Sequence, residues 1–190
     1  LSGVLINNGA LDTAAISGGV RDGTSAFDIG ALRDSVGTWN GRIDEAGFWK
    51  KVLTSQERSD LYNGGSGNTY DAGGSPPPPP SGFIPDAGET LAQNLISYWK
   101  LDETSSTRND AFSTNHLTDN NTVTYGAGKK GNAGQFTAAN TEYLSRTDNA
   151  ALSTGDINFT VAGWINLSAE TGYNMRIVTK GGENTGGTLE

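Results

Sequence analysis

The sequence predicts an all-β fold, an antiparallel two-sheet sandwich with one short helix. Three observations carry that expectation. Trp, Phe, Tyr, Ile, Val and Leu recur in short bursts divided by Gly, Asn, Asp, Ser and Thr, the rhythm of short strands and turns. Hydrophobic residues make up 34% of the chain and glycine supplies 27 positions, a low apolar content that still exceeds that of a disordered polymer. Asn8-Gly9 lies between two apolar runs, a pairing that tolerates positive φ and marks a hairpin.

Taken in order, "SGVLINNGALDTAAI" reads as strand, turn and strand around Asn7-Asn8-Gly9. "SAFDIGAL" alternates at Phe27, Ile29 and Ala31, as a half-buried strand does. "GTWNGRIDEAGFWKKVL" is the longest extended run, with Trp39, Ile43, Phe48 and Trp49 as its core candidates. A helix over about residues 55–62 follows. Thr54 and Glu57 have capping-box spacing, Leu53 is placed as a staple, Leu61 and Tyr62 form the apolar side, and Gly64 or Gly65 supplies the left-handed stop.

The stretch "GGSPPPPPSG" breaks the pattern. The run Pro76 to Pro80 favours an extended polyproline rod of roughly 3.1 Å per residue, flanked by Gly/Ser hinges. We read 67–90 as a linker between segments 1–66 and 91–190. After it, "NLISYWKLDE" is a strand, and His116 to Thr118 opens another beyond a loop. An Asx-rich turn leads to a further strand, and two short ones follow at Gly134 to Phe136 and Glu142 to Ser145. "NFTVAGWINLS" is the strongest strand, with Phe159, Val161, Gly163 and Ile165 on one side, and "NMRIVTKGG" is the last.

The two segments resemble opposite ends of one module. "FDIGAL…WNGRIDEAGFWKKVLTSQERSDLYNGG" resembles the closing part, and "LISYWKLDET…GKKGNAGQF…EYLS…FTVAGWIN" the opening part, of the laminin G-like, concanavalin A-like lectin-glucanase domains of bacterial and phage proteins. The resemblance implies a jelly-roll sandwich, with residues 1–66 closing one repeat and 91–190 opening the next. Neither segment then carries a complete core. A circular permutant is the rival arrangement, and the two segments folding onto each other would also complete the core.

Several function classes are disfavoured. A net charge of −8 without clustered Lys or Arg argues against nucleic acid. There is no cysteine, so no disulfide or thiolate metal site. No apolar run approaches the roughly 18 residues of a membrane span, so no membrane insertion is expected. No signal peptide is legible, and Met175, the sole methionine, implies that the natural start lies upstream. His116 is the sole histidine, which rules out a two-His metal site, and it reads as a polar strand or turn residue rather than a member of a Ser-His-Asp triad. Related glucanases place alternating acids on one strand. Here Asp44-Glu45 and Asp102-Glu103 are adjacent, and adjacent residues face opposite ways on a regular strand. The chain is therefore expected to be non-catalytic.

The resemblance implies instead a carbohydrate-binding or adhesion module of a tandem-repeat protein. Its expected locations are extracellular, on a cell surface or on a phage virion. The partners would be a glycan or cell-surface polysaccharide and neighbouring repeats. A structural spacer and an accessory module of a glycan-degrading enzyme are the alternatives. Asp44 and Asp102 are the candidate ligands for Ca2+, a cation that takes carboxylate and carbonyl oxygens. Trp39 and Tyr173, in polar surroundings, are the candidate sugar-stacking residues.

Overall fold

The computed structural model describes residues 5–7, 10–12, 24–31, 37–70, 90–155, 157–171 and 175–180. Their regular structure is mainly two antiparallel sheets, with a separate two-stranded hairpin and one short helix. Strands β1 (Leu5–Asn7) and β2 (Ala10–Asp12) form the expected hairpin, with Asn7 opposite Ala10. The remaining strands are β3 (Phe27–Ile29), β4 (Gly41–Trp49), β5 (Leu95–Trp99), β6 (Thr118–Asn120), β7 (Thr124–Ala127), β8 (Asn132–Phe136), β9 (Tyr143–Arg146), β10 (Thr160–Leu167) and β11 (Val178–Lys180).

One sheet runs β10-β4-β8-β7, with β5 also paired to β4, and the other runs β11-β3-β9-β6. The long strand β4 organises the first. Along one edge it pairs with β10. Along the other it pairs with β8 over Gly41 to Ile43, then with β5 from Ala46 onward. All these partners lie on the far side of the proline-rich stretch. Likewise β3 pairs with β9 and β11. The two segments therefore interleave, and their apolar residues share one interior.

That interior lies between the sheets. Phe27, Ile29, Ile43, Ala46 and Phe48 from before the linker meet Trp99, Leu101, Leu117, Phe136, Leu144 and Leu152 from after it. Trp39 joins this cluster too. A second apolar layer, of Trp49, Leu53, Tyr70, Leu91, Leu95 and Tyr98, backs the first sheet, with Leu61 of the helix against it.

Helix α1 (Ser55–Tyr62) carries the complete capping box: Thr54 accepts from Glu57 N–H, and Glu57 accepts from Thr54 N–H. Two details depart from expectation. The left-handed stop begins at Asn63, at φ 46°, one residue before Gly64. Tyr62 is 58% exposed. Strand β10 departs further. Its expected core side is exposed, with Val161 at 38% and Ile165 at 50%. Only β4 pairs with it among the described residues, and a strand face is covered only where partners and an opposing layer extend past it.

Candidate functional site

The motifs that carried the family resemblance converge in three dimensions. Asp44 belongs to "GRIDE", Asp102 to "WKLDE", and residues 128–132 to "GKKGN". In the fold, both carboxylates grip that last turn. Asp44 Oδ2 accepts from the backbone N–H of Lys129 at 2.5 Å and of Lys130 at 3.0 Å. Asp102 Oδ1 accepts from Asn132 N–H at 2.7 Å, and Asn132 Nδ2 also donates to the Asp102 carbonyl at 2.9 Å. Gly131, at φ 52°, sits where a side chain would collide with Asp102 Oδ1. The turn is shaped around the two acids.

The neighbouring Glu45 is placed by a β-bulge. Ala162 pairs with Gly47 and Trp164 with Asp44, so Glu45 and Ala46 together oppose Gly163. Glu45 takes a left-handed φ of 52° there. The bulge lies where β8 gives way to β5 along β4, and a bulge adds a residue without preserving strict alternation. Asp44 lies opposite Trp164, and Glu45 is directed to the hydroxyls of Tyr98 and Thr69. The two adjacent acids therefore interact with each other and with Asp102, contrary to the regular-strand expectation.

Burial dominates the electrostatics. Asp44 and Glu45 are each 3% exposed. Desolvation pushes the Asp44 carboxyl up to about 6, against the pull of the Lys130 and Lys129 N–H groups, and Asp102 adds repulsion. Desolvation likewise pushes Glu45 up to about 7, with Asp44 and Asp102 contributing. Neither Glu45 oxygen has a hydrogen-bond partner of good geometry, although the Tyr98 and Thr69 hydroxyls lie close enough to favour its ionised form. Burial and the facing Glu45 carboxylate in turn hold the Tyr98 phenol well above its usual range.

An aromatic surface adjoins these acids. Tyr62 stacks on Trp164 at 5.7 Å between centroids and 21° between planes, and Lys129 Nζ lies 5.0 Å from the centre of the Trp164 ring. Both rings line a groove of about 1020 Å3, together with Arg58, Asn68, Tyr98 and Glu45. The groove passes round β10, whose exposed apolar residues form its other wall.

The sequence-predicted site residues fare unevenly. Trp39 is 5% exposed and belongs to the core, so the expectation of an open stacking face is corrected. Its polar neighbours in sequence are misleading because the chain enters β4 there, and the ring turns inward between the sheets. Tyr173 lies outside the described residues. Asp44 and Asp102 come together on the 128–132 turn, where Asp44 Oδ2 and Asp102 Oδ1 accept from backbone N–H groups while Asp44 Oδ1 is buried without a hydrogen-bond partner. A Ca2+ ion needs about six to eight oxygens with lone pairs free to face it. Among the described residues no three His, Cys, Asp or Glu side chains converge in a way that could hold a metal ion.

Sequence reasoning missed Tyr62 as a surface residue. Its signal was present: Leu61 and Tyr62 are adjacent on a helix, about 100° apart, and a short helix buries only one stripe. No protein-family model, curated protein or solved structure matches the chain.

Proposed function

We propose that the chain is a non-catalytic carbohydrate-binding or adhesion module of a repetitive extracellular or virion-surface protein, with a jelly-roll architecture of the concanavalin A-like type. The observation that supports binding is the exposed Tyr62 ring, backed by Trp164 and Lys129 at the mouth of the groove. A pyranose offers an apolar C–H face and a rim of hydroxyls. A tyrosine ring supplies a matching apolar face with a polar tip. Arg58 and Asn68, also lining the groove, supply hydrogen-bonding groups for that rim. On this reading, segments 1–66 and 91–190 derive from adjoining repeats, and the groove forms where they interleave.

Among the described residues, no helix is long and apolar enough to cross a membrane. A glycan array probed with the full chain tests the proposal, followed by titration of the best hit against Tyr62→Ala. Removing the exposed ring is expected to weaken binding by up to about tenfold, since a stacked ring contributes about 0.5–1.5 kcal/mol and each 1.4 kcal/mol is a factor of ten. Thermal stability should fall only slightly, through loss of the exposed Tyr62–Trp164 stack. An array without hits at high protein concentration would favour the spacer reading.

A further inference from the structure

The pairing pattern divides the chain into a donor and an acceptor. Among the described residues, strands β3 and β4 do not pair with each other, and each pairs with strands that follow residue 90. Among the described residues of the acceptor, β5, β10 and β11 have no strand partner except β3 or β4. The strand pairs within it are β7 with β8 and β6 with β9, beside the isolated bridges Trp99–Asp110 and Arg108–Leu117. The helix belongs to the donor, and its Leu61 joins Leu91, Leu95 and Tyr98 of the acceptor. The covalent route between the halves is the segment 71–89, which holds Pro76 to Pro80.

We propose that copies of this chain exchange these halves, the 24–70 donor of one copy completing the 90–180 acceptor of another. Every sheet contact is the same whether the donor arrives in cis or in trans, so the choice is set by the connection. Tyr70 and Leu91, which flank the connection, sit in one apolar cluster, so a donor arriving in cis needs the two ends of the connection close together. A stiff polyproline run opposes that closure and lowers the effective concentration of the donor at its own acceptor. Swapping of this kind is a low-cost route to dimers, and an unclosed series of exchanges gives open chains. The partner that fits is therefore a second copy of this chain or a neighbouring unit of the same sequence type.

The test uses the full chain, refolded at graded concentrations and sized by light scattering. The dimer-to-monomer ratio is expected to rise roughly in proportion to concentration, about tenfold for each tenfold increase, by mass action. The dimers should persist for hours after dilution, because release requires unpairing β3 and β4. A second measurement co-refolds Phe48→Asp with Leu144→Asp, one lesion in each half at a residue buried to 2% or less. Each variant alone loses its cooperative transition. The mixture should regain one, since a swapped dimer contains one sandwich with two intact halves. A wild-type chain that stays monomeric at every concentration overturns the proposal. So does a dimer whose co-refolded variants remain as unfolded as they are separately, which would place the association at the free edge of β10 instead.

Discussion

Replacing Glu45 with Gln should remove about half of the loss of stability that the two buried acids Asp44 and Glu45 impose as pH rises. The carboxyl is 3% exposed and its ionisation is raised from 4.5 to about 7. Between about pH 4.5 and 7, the folded protein holds a proton on Glu45 that the unfolded chain has released. Stability therefore falls as pH rises through that window and levels off above it. At 1.36 kcal/mol per unit, the displacement corresponds to an upper limit on the order of 3 kcal/mol by pH 8. Asp44, raised from 3.8 to about 6, acts with the same sign over a lower window. Gln copies the shape and hydrogen-bonding capacity of the protonated acid and cannot ionise. Urea unfolding of wild type and Glu45→Gln at intervals from pH 4 to 8 measures the difference. The variant should lose less stability across that range by up to about 3 kcal/mol, with the gap opening mainly between pH 4.5 and 7. Equal slopes in the two proteins, or a wild type that gains stability toward pH 8, would show that Glu45 is solvated or well partnered and that the bulge does not bury it.

Three further outcomes follow from the same geometry. Asp44→Ala strands two backbone N–H groups in the Lys129-Lys130 turn and should destabilise the fold by about 2–4 kcal/mol in denaturant titration at pH 7. Adding Ca2+ or a chelator should leave the melting temperature of wild type unchanged; a rise that Asp44→Ala or Asp102→Ala abolishes would restore calcium to this site. On β10, Ile165→Lys is expected to change stability by no more than about 0.5 kcal/mol, because the side chain is 50% exposed at an edge. Ile43→Lys, paired with it but 1% exposed, should abolish cooperative unfolding, and equal effects at the two positions would contradict the open edge.

The residues alone determined whatever is set by near neighbours. Thr54 and Glu57 specify the helix start through bonds three residues apart, and the Asn-Gly signal in the sequence anticipated the β1–β2 pairing. Alternation marked Phe27 and Ile29, and the apolar run around Ile43, Phe48 and Trp49 found the central strand. What only the tertiary structure decided depends on partners distant in sequence. The bulge that brings Asp44 and Glu45 together arises where β4 changes partner from β8 to β5, a hand-over no local window contains. Trp39 turned inward and Tyr62 outward because burial follows from what packs opposite, not from the polarity of adjacent residues. The side of β10 that alternation assigns to the core remains open because alternation fixes which residues share a face, while covering that face takes another strand.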